Sequence, residues 1–300
     1  MSDQPLKAQE KWIDVASVRT RFLEAGAGEP IVFLHGGHAG DSSGSESAEV
    51  WNLNYSALAR GYRCIALDRL GQGKTDNPLK DSDYTMAASV DHAIAFVQAL
   101  NTGPVHIVGH SRGGHVAIQV TLKAPDFVRS CTAVSTNTAA PGYGRNAFVF
   151  APCTHPPLSL ERMRYVLENY SYQTDHIDPE WLQLKQRMLE SSKYREACKK
   201  MQEGGLFETQ YLPMLSIDRE AMFALLERRS IGRPTMLVWG FNDPTAPLAQ
   251  GYDLYDLIAR HQFRCQMHIL NQAGHFCYRE RPEEFNRVLT NFIEDVRHGV

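Results

Sequence analysis

Val105-His106-Ile107-Val108-Gly109-His110-Ser111-Arg112-Gly113-Gly114-His115-Val116 is the stretch that decides the fold. Its first four residues form a short apolar run ahead of glycine, the pattern of a buried strand. Helical spacing then runs from about Gly113 to Lys123. Between the two lies Gly109-His110-Ser111-Arg112-Gly113, which fits G-x-S-x-G. In that setting the serine sits on a tight, strained turn with its hydroxyl facing outward. Glycines on either side make room for the backbone. The helix start aims N–H groups, and the positive end of its dipole, at a developing oxyanion. The plain alternative is a glycine-rich turn that happens to hold a serine. The strand before it and the helix after it weigh against that alternative.

Working outward, the same alternation recurs. Upstream, Trp12 to Glu24 alternates and reads as one or two strands. Ile31-Val32-Phe33-Leu34 reads as a buried strand halted by His35-Gly36-Gly37. Residues 38 to 48 are small and polar, a loop, and Trp51 to Arg60 is helix-like. Cys64 to Leu67 is another strand, ending at Asp68 and the Gly71/Gly73 loop, and Met86 to Leu100 is helical. Downstream, Thr132 to Val134 continues the series. From about Thr138 to Arg229 only helical segments appear, such as Leu160 to Tyr170, Glu180 to Glu190 and Arg219 to Leu226. Strand and helix then return as Thr235 to Trp239, Leu248 to Arg260, Gln266 to Leu270 and Pro282 to Val296, the last with proline at its start. Such alternation predicts a mostly parallel sheet with helices on both faces. The expected organisation is a core of residues 1–137 and 230–300 with a helical cap, 138–229, inserted in it.

Composition narrows the function classes. The chain has 300 residues, 43% hydrophobic and 22% charged, enough for a sizeable core in a soluble enzyme. The net charge of −3 comes without a basic block, so a nucleic-acid partner is not expected. The six cysteines form no CxxC pair, against a zinc site or a disulfide framework. Met1 to Lys11 lacks an apolar signal core, and no run approaches the ~18 apolar residues of a membrane span. A cytoplasmic protein with no membrane association is expected, with a small-molecule substrate and, as a possibility the sequence leaves open, a homo-oligomeric state.

A serine hydroxyl needs a base. Among twelve histidines, His275 stands after the last predicted strand and before the last helix, in Gln272-Ala273-Gly274-His275-Phe276. The orienting acid belongs after the penultimate strand, where Trp239-Gly240-Phe241-Asn242-Asp243-Pro244 supplies Asp243. Taken alone, either residue reads as an ordinary turn or surface position. The chain order Ser, Asp, His favours the set of Ser111, Asp243 and His275. An oxyanion hole is expected from the Arg112 N–H together with the turn His35-Gly36-Gly37-His38, with Gly37 as first choice and His38 next.

Other signals carry less. Gly73-Lys74-Thr75 imitates the end of a P-loop, but Asp68 stands where the first glycine is needed. Gly71-x-Gly73 is not a full dinucleotide fingerprint. His35/His38 and His106/His110 have metal-compatible spacing without acidic or cysteine partners nearby, so no metal and no cofactor are expected. Tyr143, Tyr165, Tyr170, Tyr172 and Trp181 could line an aromatic pocket, although aromatics at helical spacing are more often plain core.

The HGG turn, Asp68-Arg69-Leu70-Gly71-Gln72-Gly73, GHSRGG, WGFND and AGHF together resemble the α/β-hydrolase superfamily. The resemblance implies an α/β-hydrolase fold, a mostly parallel eight-stranded sheet with helices on both faces and an inserted helical cap. Within it the chain looks most like the meta-cleavage product hydrolases, which cleave a C–C bond in dienoates formed by ring fission of catechols. That likeness lies in the HGG turn, in Met163 to Trp181 (MRYVLENYSYQTDHIDPEW) and in Glu280 to Arg287 (ERPEEFNR). Departures are His110 where asparagine is common, Phe276 where tryptophan is common, and Lys185, with Arg187 two residues on, where a cap arginine grips the substrate carboxylate. The resemblance implies that Lys185 or Arg187, with Asn52 or Asn54, holds the 2-hydroxy-6-oxo-dienoate head, and that Phe276 borders it. A carboxylesterase acting on small esters is the alternative, and a non-catalytic ligand receptor on the same fold is a third. Epoxide hydrolases and haloalkane dehalogenases carry aspartate where Ser111 stands.

Overall fold

The computed structural model describes residues 7–42 and 46–299. The first six residues of the Met1–Lys11 segment, and the middle of the 38–48 loop, therefore lie outside the described residues. The eight strands are β1 (Gln9–Val15), β2 (Val18–Ala25), β3 (Glu29–Leu34), β4 (Tyr62–Leu67), β5 (Val105–His110), β6 (Val128–Val134), β7 (Thr235–Gly240) and β8 (Cys265–Leu270). They form one sheet in the order β1-β2-β4-β3-β5-β6-β7-β8. Only β2 runs against its neighbours; the other pairs are parallel. The mostly parallel eight-stranded α/β-hydrolase fold is thus present, with β5 near the middle of the sheet.

Strand alternation sorts the core into two layers. In β3, Val32 and Leu34 join one apolar cluster while Ile31 and Phe33 join the other. On the first face pack α2 (Met86–Ala99), α3 (Arg112–Lys123) and α9 (Leu248–Ala259). On the second pack α1 (Asn52–Leu58), the short α10 (Cys277–Glu280) and α11 (Pro282–His298), where the Trp51 ring lies 4.1 Å from Tyr278 and 5.1 Å from Phe33. Phe285, Leu289, Phe292 and Ile293, spaced three and four apart, are the buried stripe of α11.

Between β6 and β7 the described chain has helices and turns and no strand. It contains α4 (Asn146–Phe150), α5 (Leu160–Tyr170), α6 (Pro179–Glu190), α7 (Ser192–Cys198) and α8 (Leu212–Leu226), with two π-helical turns, Lys199–Glu203 and Phe207–Tyr211, before α8. Local chemistry starts these helices. Ser159 caps α5 by accepting from Arg162 N–H at 3.1 Å. Asp178 caps α6 by accepting from Trp181 N–H at 2.7 Å, with Pro179 at the first helical position.

The crossing of α3 over the sheet explains the glycines of the pentapeptide. A Cβ on Gly113 would lie 2.4 Å from Leu34 O and 2.5 Å from His35 O, and one on Gly109 would lie 2.1 Å from Gly113 O. Backbone meets backbone there, so no side chain can rotate away. Gly113→Ala is expected to cost about 3 kcal/mol and to lower Tm by roughly 6–10 °C. A melting curve superimposing on that of the parent protein would contradict this packing.

Candidate active site

Ser111 follows β5 with φ 54° and ψ −124°, a backbone conformation that L-residues rarely adopt. It is held there because its N–H donates to Val134 O at 2.9 Å and its carbonyl accepts from Gly114 N–H at 2.9 Å. Strain of this kind costs about 1–3 kcal/mol and persists where surrounding structure enforces it. The turn delivers Ser111 to a cavity of about 410 Å³ and sets it directly before α3, whose first N–H groups have no partner within the helix.

His275 and Asp243 arrive from the loops after β8 and β7. His275 Nδ1 lies 2.8 Å from Asp243 Oδ2, with both side chains buried. The other carboxylate oxygen accepts from Thr245 N–H (2.8 Å), Ala246 N–H (2.8 Å) and the Thr245 hydroxyl (3.0 Å). With Asp243 accepting at Nδ1–H, the tautomer leaves Nε2 of His275 as a proton acceptor. Ser111 and His275 border the same cavity. The His275 N–H donates to Tyr170 O, at the end of α5, at 2.7 Å.

The Gly36–Gly37 turn closes the other side. A Cβ on Gly36 would stand 3.1 Å from Ser111 Cβ, and Gly37 has φ 71°. The buried Arg69 guanidinium donates to Gly36 O at 2.9 Å and to Gly37 O, fixing both peptide planes. His35 supports the same turn: its Nε2 accepts from Arg69 N–H at 3.1 Å, so Nδ1–H donates to Gly36 O at 2.9 Å. Burial, and then Arg69, push the His35 pKa well below its usual value, in keeping with a neutral ring. Gly37, His38 and Arg112 all border the cavity. Burial pushes His38 down to about 4 against the pull of Asp41.

His110 is buried beside His275. Its Nε2 faces His275 O at 2.9 Å, and its ring centroid lies 4.6 Å from that of His275. Burial and then His275 drive its pKa well below the ordinary value, so the neutral ring donates to the His275 carbonyl. His110, which stands where asparagine is common in the resembled family, thus braces the loop of His275.

The substrate-binding expectations divide. Phe276 and Lys185 border the cavity, and Phe276 packs on Trp181 and Tyr170. Arg187 does not: two residues beyond Lys185, it falls on the opposite face of α6 and is exposed. Asn52 and Asn54 also lie outside the cavity lining. The Asn52 carboxamide oxygen accepts from Arg279 at 2.6 Å, and the buried Asn54 donates to Tyr278 O and Asn286 Oδ1. Both are spent fastening α1 to α10 and α11. Of the five aromatics considered for a pocket, Tyr170 alone borders the cavity, while Tyr143 is almost fully exposed.

Several residues at the site escaped the sequence. Glu280 Oε1 accepts from Gly274 N–H, and its Oε2 accepts from Tyr172 and Gln173 N–H, each at 2.9 Å. Burial raises its pKa. Nothing in ERPEEFNR sets Glu280 apart from Glu283 or Glu284. Asp41, Glu46 and Arg162 also border the cavity, and the pairing of Asp41 with Arg112 and of Glu46 with Lys185 becomes visible only in three dimensions.

Comparison with known proteins agrees with this architecture. The profile described as the alpha/beta hydrolase family matches residues 31–288. A 2-hydroxy-6-oxo-6-(2'-aminophenyl)hexa-2,4-dienoic acid hydrolase of Metapseudomonas resinovorans is 29% identical over 95% of this chain and 90% of its own. A 2-hydroxymuconate semialdehyde hydrolase of Pseudomonas sp. (strain CF600) is 26% identical over 94% and 93%. The solved meta-cleavage product hydrolase from Pseudomonas fluorescens IP01 superposes with a TM-score of 0.77 at 25% identity, covering 95% of this chain and 97% of that one. No helix among the described residues is long and apolar enough to cross a membrane. With that profile spanning most of its length, this chain belongs to the alpha/beta hydrolase family.

Proposed function

We propose that the chain is a cofactor-independent serine hydrolase that cleaves the C–C bond of a 2-hydroxy-6-oxo-dienoate ring-fission product, with residues 138–229 as the cap over its core. The observation that carries the reading is Ser111 on its strained turn, sharing one cavity with a His275 held by Asp243 at 2.8 Å. The dienoate hydrolases among its relatives support the choice of bond.

The chemistry follows from the residues. His275 Nε2 moves the proton that turns the dienol into its keto tautomer. In that tautomer the carbon beside the distal carbonyl can leave with its electron pair, because a conjugated ketone receives the charge. Ser111, or a water activated beside it, gives its proton to His275 as its oxygen attacks the distal carbonyl. The oxyanion is received by the N–H groups of Gly37 and Arg112. Collapse breaks the C–C bond, and the proton on His275 passes to the departing carbon. If Ser111 is the attacker, water then hydrolyses the acyl-serine by the same base.

Such dienoates are yellow. Mixing the protein with a panel of them is expected to bleach the colour in a Ser111-dependent manner. Turnover of p-nitrophenyl esters with no bleaching of any dienoate would replace this reading by the carboxylesterase. One observation favours that second reading: the cap cation Lys185 already faces Glu46 at 2.6 Å.

A further inference from the structure

Among the described residues, five carboxylate, lysine or arginine side chains border the cavity: Asp41, Glu46, Arg112, Arg162 and Lys185. Four of them are matched. Lys185 Nζ lies 2.6 Å from Glu46 Oε1. Wherever the shared proton rests, that pair is neutral overall. Arg112 Nη1 lies 3.6 Å from Asp41 Oδ2, a second balanced pair. Ser43, Gly44 and Ser45, in the segment between Asp41 and Glu46, carry no charge in the sequence.

Arg162 is the remainder. It stands in the first turn of α5, where Ser159 fixes its backbone N–H at 3.1 Å. Its Nη1 donates to His155 O at 3.2 Å, and its guanidinium lies 5.9 Å from the Phe150 ring centre. Its Nε is buried without a hydrogen-bond partner, and no carboxylate pairs with it among the described residues. A buried donor left unmade costs free energy, and a planar guanidinium matches a carboxylate with two parallel bonds.

We propose that the cavity selects substrates bearing a single negative charge, and that Arg162 on α5, not Lys185 on α6, receives their carboxylate. A dianionic substrate would have to draw Lys185 from Glu46 or Arg112 from Asp41. Either exchange strands a partly buried carboxylate. Arg162 therefore sets the charge class, and the two pairs act as gates against a second anion.

The inference takes its ligand class from the dienoate reading, but its test needs no turnover. Sorbate and muconate are six-carbon dienes with one and two carboxylates. Their binding to the intact protein is read by calorimetry, with folding of each variant checked by its melting curve. Sorbate is expected to bind about tenfold or more tightly than muconate, Arg162→Gln to weaken sorbate about tenfold, and Arg162→Lys to recover part of that loss. Glu46→Gln, which releases the charge of Lys185, is expected to strengthen muconate binding about fivefold. Equal affinity for the two acids, no measurable sorbate binding, or sorbate binding lost in Lys185→Met but kept in Arg162→Gln would each overturn the assignment. Sorbate held by Arg162 in a protein that leaves yellow dienoates untouched would sink the proposed reaction alone. Dienoate turnover with an unaltered sorbate affinity in Arg162→Gln would sink this inference alone.

Discussion

Ser111→Ala is expected to lower kcat/KM by about 10⁴-fold or more on any substrate the protein turns over. Alanine removes the one atom that, on the proposed mechanism, attacks or positions the attacking water, and adds no bulk. Its Cβ occupies the same place opposite Gly36, so the turn has no new contact to absorb. Alanine is as strained as serine at φ 54°, so stability should change little. The loss therefore belongs to chemistry, and a melting curve taken beside the rate separates the two. A serine-reactive fluorophosphonate should label the parent protein at Ser111 and leave the variant unlabelled. A variant within tenfold of the parent rate would remove Ser111 from the mechanism. An unlabelled but folded parent would favour the non-catalytic receptor.

Asp243→Asn is expected to cost about 10³- to 10⁴-fold in kcat, with folding intact. The reason is geometric. One oxygen of Asp243 accepts from two backbone N–H groups and the Thr245 hydroxyl, three donors that an amide nitrogen cannot satisfy. The asparagine carbonyl oxygen must therefore occupy that side. Its NH₂ then faces Nδ1 of His275, where Oδ2 stood at 2.8 Å. A donor at that point selects the tautomer with the proton on Nε2, and the nitrogen needed as base is already protonated. A fall of less than tenfold would mean that Asp243 does not set the ring's tautomer.

What the sequence disclosed, and what it did not, follows from the range of the interactions involved. β3, β5 and β7 hold short apolar runs with a glycine at or within two residues of the strand end, and each lies where the alternation placed it. The Ser111 turn was legible because strand, turn and helix are contiguous. Asp243 and His275 were legible only jointly, through their order along the chain. The first hairpin stayed ambiguous because its turn, Ala16-Ser17, adopts φ 48° and 67° without the glycine or asparagine that marks such turns. Asn52 and Asn54 were misplaced because a polar residue on a helix does not announce its partner, here Arg279 for one and α10 with α11 for the other. Asp41 and Glu46 come from one loop, Arg162 from α5 and Lys185 from α6, and their charge balance exists only after folding.

The bonds around Glu280 have a mechanical meaning. Among the described residues, the junction of α5 and α6 hangs from four hydrogen bonds to the 275–280 segment: Tyr170 O to His275 N–H, Tyr172 and Gln173 N–H to Glu280, and His176 O to the Arg279 guanidinium. The same carboxylate holds Gly274, the residue before His275. That junction cannot swing outward without loosening the very segment that aims the imidazole. Opening by this route would therefore displace His275, and on the proposed mechanism ligand traffic that spares it must use another rim of the cavity. On the proposed mechanism Glu280 would work as an interlock, because one carboxylate ties the α5–α6 junction to the residue before His275.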